Sequence, residues 1–312
     1  MALCALGAKL ADDWFSAKQN MKVLKLSGIS LPRYAWRLLP VLLWLVMAGA
    51  ALPPLAPAAP PDERPSAAQT PPSTLAPASQ PKSGVRVALY HGPGTGGKGP
   101  PNLIQRLTDG KVTSIAEVSP EEIRGGVLTN YDVVIFAGGS GSKQAEAIGE
   151  AGREAVRQFV GHGGGYVGIC AGAFLATSGF PWSLHIIAAK TVSPKWKRGR
   201  GDVKVELTEQ GSGILGERAG QFDVHYANGP VVQPAKVPSL SPYAPLAYFR
   251  SEMASNDAPV GVMVNAPAIF AGDYQKGRVV CISPHPEQTP GLEEIVPKVV
   301  AWVAPKQSRA VP

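Results

Sequence analysis

The chain has 312 residues, 45% of them apolar and 17% charged, which is enough for one packed domain of ordinary size with additional sequence outside it. Six basic and only two acidic residues precede residue 53, so the net charge of +7 falls to +3 for the rest, with 24 basic and 21 acidic residues. That balance does not favour a nucleic acid as a partner. The three cysteines, Cys4, Cys170 and Cys281, exclude a disulfide framework.

Residues 1–52 are typical of a targeting segment. An apolar run from Leu38 to Leu52 follows four basic residues, and small residues at 48–50 suit a cleavage site. The run is shorter than the roughly 20 residues of a membrane-spanning helix, so a cleaved signal peptide is the first interpretation. A retained membrane anchor and a buried helix are the alternatives. Asp12 and Asp13 suit the start of a signal poorly, which favours Met21 as the true start. We therefore expect an exported protein of the periplasm or cell envelope.

Residues 53–84 are dominated by Pro, Ala, Ser and Thr and contain no aromatic residue. Such a segment cannot bury enough apolar surface to offset the entropy of ordering it, so we expect a disordered tether. A folded domain is then expected over residues 85–305, followed by a short tail at 306–312.

From residue 85, apolar strand-like runs alternate with amphipathic stretches. The pattern predicts strands at 85–90, 112–118, 131–137 and 165–169, and helices at 103–107, 120–124 and 144–160. On the longest helix, positions 145, 148, 151, 155, 159 and 160 are predicted to share a buried face. Repeated strand, helix, strand units predict an α/β domain with a doubly wound, mostly parallel sheet.

The region from 186 to 280 changes character. It contains β-rich stretches at 202–207, 221–226, 259–265 and 278–283, separated by turn signals. We interpret them as antiparallel additions to the sheet, closed by a final helix over 292–303. The basic cluster at 195–200 predicts a solvated hairpin loop, with binding of an acidic ligand or nucleic acid as the alternative.

The motif Gly168-Ile169-Cys170-Ala171-Gly172 has the form G-x-C-x-G at a predicted strand-to-helix junction. A sharp turn of this kind presents a nucleophile, and the flanking glycines leave space for the backbone. The helix N-terminus would favour the thiolate of Cys170 over the thiol. A buried structural cysteine in a glycine-rich turn is the alternative.

The sequence Ser283-Pro284-His285-Pro286-Glu287 follows an apolar strand. In this arrangement His285 would take the proton of Cys170, and Glu287 would fix the tautomer and orientation of the imidazole. The two prolines restrict the backbone around His285. A surface loop histidine is the alternative.

Gly138 and Gly139 follow the predicted strand at 131–137. The ends of parallel strands meet at one edge of a sheet, so this loop can direct N–H groups toward Cys170. Together with the N–H of Ala171 it would form an oxyanion hole. A flexible strand-to-helix turn is the alternative.

These three elements resemble the class I glutamine amidotransferases, which have a glycine-rich oxyanion loop, a Gly-x-Cys-x-Gly elbow and a C-terminal His-Pro-Glu in the same order. More narrowly, YVGICAGAFLA at 166–176, followed by SPHPE at 283–287, is similar to the amidotransferase-like domain at the N-terminus of some biotin protein ligases. The resemblance extends over residues 85–304 and implies the family's fold and Cys-His-Glu triad. Glutamine-hydrolysing members commonly have Gln four residues after the nucleophile. Here Phe174 stands at that position, which argues against glutamine as the substrate.

Three further residues are weaker candidates for contact with a substrate. His91 follows the first predicted strand and should emerge at the active-site end of the sheet, with an exposed loop residue as the alternative. The segment from His225 to Gly229, with Tyr226 and Asn228, would line a pocket wall, and a simple strand end turning at Asn228-Gly229 is the alternative.

Neither a metal nor a cofactor is expected. The five histidines lack the spacing of metal ligands, and Pro100 and Pro101 interrupt the helix start that a phosphate-binding loop at 92–98 would need. Cys281 lies within an apolar strand and is predicted to be a core residue.

The leading hypothesis is a thiol hydrolase or amidotransferase-like enzyme that acts on a small amide or acyl substrate through a Cys170 acyl intermediate. The alternative is a non-catalytic module that retains the fold and holds a ligand or a partner protein in the same pocket. Contact with a membrane is expected only through the N-terminal segment.

Overall fold

The computed structural model describes residues 84–110 and 114–305. The predicted targeting segment, the tether as far as residue 83 and the tail therefore lie outside the described residues. Within those two ranges, no helix is long and apolar enough to cross a bilayer.

Five parallel strands form one half of the central sheet. In spatial order they are β2 (Ser114–Val118), β1 (Arg86–Tyr90), β3 (Val133–Phe136), β4 (Gly165–Ile169) and β11 (Gly277–Ile282). Every residue of β3 and β4 is buried, as expected for strands covered on both faces. The carboxyl ends of these strands share one edge of the sheet, so the loops after β3, β4 and β11 are neighbours.

Four antiparallel strands extend the sheet beyond β11. They are β10 (Pro267–Tyr274), β9 (Ala244–Phe249), β6 (Arg200–Leu207) and β7 (Gln221–Ala227). The short strands β5 (Ala189–Thr191) and β8 (Val232–Pro234) pair separately. This arrangement confirms the predicted α/β fold, a mostly parallel sheet with antiparallel additions.

Helices cover both faces of the sheet. They are α1 (Gly99–Asp109), α2 (Pro120–Arg124), α3 (Gly141–Gly161), α4 (Ala171–Ala176), α5 (Glu209–Leu215) and α6 (Ile295–Val303). Apolar side chains of α1, α5 and α6 belong to one buried cluster, and those of α2, α3 and α4 belong to a second cluster on the other face. Ser119 caps the N-terminus of α2. Its hydroxyl accepts a hydrogen bond from the Glu122 amide, and the Glu122 carboxylate accepts one from the Ser119 amide.

The predicted strand at 259–265 is wrong. This segment is a series of bends and turns between β9 and β10, and Val260 in it is 77% exposed. Gly261 and Asn265 both have positive φ, at 76° and 67°, which the extended backbone of a strand does not allow. The valines alternate along the chain, but no neighbouring strand covers them.

The predicted buried face of α3 is also partly wrong, because Ala151 is exposed while Gly152 and Val156 are buried. Gly149 has φ 65° and ψ −174°, which are not helical angles. The helix is therefore kinked there, and the residues after Gly149 do not keep the spacing of the buried face before it. Likewise Pro100 and Pro101 do not interrupt a helix, because they occupy the first turn of α1, where a missing N–H costs nothing.

Candidate functional site

Cys170 lies directly after β4 and immediately before α4, at the edge of the sheet where the parallel strands end. Its φ of 51° and ψ of −97° are unfavourable for a residue with a side chain. Its amide donates to the carbonyl oxygen of Ile282 at 2.8 Å, so the turn is attached to β11. The residue is 6% exposed, and its Sγ lies 3.4 Å from the carbonyl oxygen of Ala227.

Two glycines make this turn possible. A Cβ on Gly168 would overlap the carbonyl oxygen of Gly172, and a Cβ on Gly172 would overlap the carbonyl oxygen of Phe136 in β3. The hydroxyl of Tyr166 donates to the Gly172 carbonyl oxygen at 2.8 Å and fixes the far side of the turn. The G-x-C-x-G spacing is therefore required by close backbone packing between β3, β4 and α4.

His285 and Glu287 form a buried pair beyond the end of β11. The His285 Nδ1 is 2.7 Å from Glu287 Oε1, and the two residues are 4% and 1% exposed. The His285 amide donates to the carbonyl oxygen of His225 at 2.7 Å, and its carbonyl oxygen accepts from the Thr289 hydroxyl at 2.9 Å. The imidazole is thus held by its backbone and by its ring.

Burial alone would lower the pKa of His285, but hydrogen bonds to Cys170 and Glu287, and the negative charges of both groups, outweigh burial and raise the pKa to about 10. The raised pKa favours the protonated imidazole at neutral pH, with Glu287 Oε1 beside Nδ1. Protonated on both nitrogens, the ring cannot accept a hydrogen bond, so the Gln288 amide donates to Glu287 Oε1 at 3.1 Å.

Gly138 lies against both members of the site. A Cβ placed on it would come within 2.8 Å of His285 Cε1 and 3.7 Å of Cys170 Cβ. Gly139 packs under the loop at 94–96, and the amide of Gly96 donates to the Gly138 carbonyl oxygen at 2.7 Å. Among the described residues, the amides of Gly139 and Ala171 have no hydrogen-bond acceptor.

Tyr226 and Asn228 lie beside the thiol, but their polar groups are engaged elsewhere. Tyr226 is fully buried and donates its hydroxyl to the Gly229 carbonyl oxygen at 2.7 Å. Asn228 adopts φ 58°, and its Oδ1 accepts from the Gly199 amide at 2.8 Å. Both residues shape the turn after β7 that brings the Ala227 carbonyl oxygen to Cys170.

His91 is not brought to Cys170. Its Nδ1 is 3.1 Å from Glu117 Oε1 in the edge strand β2, and its side chain is 61% exposed. The alternative of an exposed loop residue fits this position.

His225, in the segment predicted as a pocket wall, has its ring centroid 6.0 Å from that of His285. One residue beside His285 and Glu287 was not predicted from the sequence: Gln288 contacts both of them. The signal that could have found Gln288 was its position directly after Glu287.

Comparison with known proteins bears on the fold of the domain. Residues 85–194 match the family model described as Biotin-protein ligase, N terminal. The structure of PurLQS from Thermotoga maritima is similar with a TM-score of 0.50 and 13% identity, over 71% of this chain and 97% of that one. The fold is that of the class I glutamine amidotransferase-like proteins.

Further solved structures resemble the amidotransferase-like domain at lower scores. A cytoplasmic protein of Salmonella typhimurium is 14% identical over 71% of this chain and 100% of its own, with a TM-score of 0.47. A ThuA-like protein of Parabacteroides merdae is 13% identical over 71% and 90%, with a TM-score of 0.47. No curated protein matches the chain.

No metal site is evident in the described part of the chain, where no group of three or more His, Cys, Asp or Glu side chains is arranged to hold an ion. Cys281 is fully buried, and burial raises the pKa of its thiol.

Proposed function

We propose that the amidotransferase-like domain is a thiol hydrolase or acyl transferase in which Cys170 attacks the carbonyl carbon of an amide or ester. The observation that carries the proposal is the pairing of a cysteine in a strained strand-to-helix turn with a buried His285–Glu287 pair across the ends of β4 and β11. A structural cysteine needs neither the positive φ nor the protonated imidazole.

In the proposed reaction the thiolate of Cys170 forms a C–S bond, and the carbonyl oxygen becomes an oxyanion. The amides of Gly139 and Ala171 are the candidate donors to this oxyanion, because neither is otherwise engaged among the described residues. His285 then gives its proton to the leaving nitrogen or oxygen, and the C–N or C–O bond breaks to leave a thioester.

Water completes the cycle. Neutral His285 takes a proton from a water molecule, which attacks the thioester and releases a carboxylic acid and the Cys170 thiolate. Glu287 holds the Nδ1 proton throughout, which keeps Nε2 available for the transfers.

The test uses p-nitrophenyl acetate, a small activated ester that reports acylation without knowledge of the natural substrate. We expect release of p-nitrophenolate with acetylation of Cys170, detected by peptide mass spectrometry. Cys170→Ala should abolish this, and His285→Gln should slow it by roughly 100-fold or more. Cys281→Ala is the matched control and should leave both readouts unchanged.

Two outcomes would count against the enzyme. Equal release by the wild type and Cys170→Ala would remove Cys170 as the nucleophile. Stable acetylation without any hydrolysis over hours would instead favour a binding module that has retained the residues of the triad but not turnover.

A further inference from the structure

The cluster at 195–200 contains a buried cation that the proposed reaction does not use. Arg198 is only 2% exposed, whereas the adjacent Trp196 is 52% exposed, so the prediction of a solvated loop fails at this residue. Its Nη2 donates to Glu252 Oε1 at 2.6 Å and to the Pro259 carbonyl oxygen at 2.9 Å. Among the described residues, its Nε and Nη1 have no hydrogen-bond acceptor.

Unsatisfied donors on a buried guanidinium are unusual, because every buried N–H normally finds an acceptor. Glu252 pairs with only one nitrogen of the guanidinium, Nη2. Its second oxygen accepts a hydrogen bond from the Met263 amide at 3.2 Å. The N–H groups of Nε and Nη1 could therefore donate hydrogen bonds to an anion.

A narrow cleft lies between Arg198 and α4, the helix that begins directly after Cys170. The cleft is lined by Phe174, Ser193, Trp196, Arg198 and Gly229, among others. The Phe174 amide donates to the Cys170 carbonyl oxygen, so the backbone of Phe174 lies one helical turn after that of Cys170. Gly199, the residue after Arg198, donates its amide to Asn228 Oδ1 at 2.8 Å, and Asn228 follows Ala227, whose carbonyl oxygen lies 3.4 Å from the Cys170 Sγ.

We propose that Arg198 is an anion-binding residue of the substrate site, and that the substrate carries a carboxylate in addition to the carbonyl carbon that Cys170 attacks. This proposal rests on the proposed function and names its substrate class. The cleft has a volume of about 10 Å³, room for about one water-sized group such as a single carboxylate oxygen, and this excludes a bulkier phosphate. The half-exposed Trp196 forms its rim.

The experiment compares two alkylating reagents of nearly equal size, iodoacetate and iodoacetamide, on the full chain at pH 7.5. The rate of modification at Cys170 is read by peptide mass spectrometry. Arg198→Gln should lower the ratio of the iodoacetate rate to the iodoacetamide rate at least fivefold, while the iodoacetamide rate changes less than twofold. Lys197→Gln makes the same change in net charge on the neighbouring surface residue and should leave the ratio within twofold.

The Glu252→Gln variant should change the ratio of the iodoacetate rate to the iodoacetamide rate in the opposite direction. It removes the carboxylate paired with Arg198, so it should raise the ratio, and it carries the test if Arg198→Gln does not fold. An unchanged ratio in the folded Arg198→Gln variant, an equal fall with Lys197→Gln, or no rise with Glu252→Gln would each overturn the anion site while leaving Cys170 as the nucleophile.

If Cys170 reacts with neither reagent, the proposed function fails and the anion site is tested separately. In a Cys170→Ala background, succinamate, which bears one amide and one carboxylate, should raise Tm in a saturable manner. Adding Arg198→Gln should abolish the increase. No increase in the Cys170→Ala chain would overturn the anion site.

Discussion

The two described cysteines belong to neighbouring strands of the sheet in different ways, since Cys281 lies within β11 and Cys170 follows the end of β4. Cys281 pairs in register with Gly168 inside the sheet, is fully buried, and has its pKa raised by burial. Cys170 is two residues beyond Gly168, where the backbone turns sharply and the protonated His285 is within reach. A displacement of two residues along a strand thus separates an inert thiol from a candidate nucleophile. The backbone, more than the residue type, determines the chemistry.

The largest expected difference between these two regions is in thiol reactivity. Iodoacetamide at pH 7 should modify Cys170 at least about 100-fold faster than Cys281, because Cys281 becomes accessible only when the sheet opens. The modified peptides are quantified by mass spectrometry over time. In denaturant the two rates should converge. Similar rates in the native chain would show that Cys170 is not the more reactive thiol.

The turn itself can be broken through Gly172. Gly172→Ala places a Cβ against the Phe136 carbonyl oxygen, so the free energy of unfolding should fall by about 3 kcal/mol, measured by urea unfolding. Gly213→Ala is the matched control, since Gly213 is exposed in α5 with open space around its Cα. That change should stabilise the chain by about 0.5–1 kcal/mol. A neutral Gly172→Ala would show that the turn is looser than its geometry indicates.

The difference in reactivity between Cys170 and Cys281 should also depend on pH, because of His285. Its raised pKa of about 10 keeps the imidazole protonated at neutral pH, and the positive charge stabilises negative sulfur on Cys170. As the pH falls from 8 to 6, labelling of Cys170 by iodoacetamide should therefore decline only weakly. In His285→Gln the decline over the same range should be clearly steeper, because no positive charge then faces the sulfur. Parallel pH profiles would exclude a protonated His285 as the partner.

The parts of this site that sequence predicted are those encoded in short segments. The apolar runs gave β3, β4 and β11, and the order of parallel strands then brought Gly138, Cys170 and His285 to one edge. Spacing alone was enough, because glycine and proline restrict the backbone locally.

The parts that sequence did not predict depend on contacts between distant segments. Arg198 is buried because Glu252, in the loop after β9, and the Pro259 carbonyl oxygen meet its guanidinium. Similarly, Tyr226 lies beside the thiol but turns its hydroxyl to Gly229. A local pattern of basic or aromatic residues cannot distinguish a solvated side chain from one that finds a buried partner 50 or more residues away.

The smallest expected effect concerns glutamine. The ring of Phe174 lies near that of Phe180, with a centroid separation of 6.2 Å, and it offers no hydrogen bond to an amide in the cleft. A glutamine in the site would leave at least one polar group unpaired, at a cost of about 1–3 kcal/mol. Ammonia release from millimolar glutamine by the full chain should therefore barely exceed that in buffer and should equal that of Cys170→Ala. Robust turnover that depends on Cys170 would show that Phe174 does not exclude glutamine, and it would make an ordinary glutaminase the better assignment.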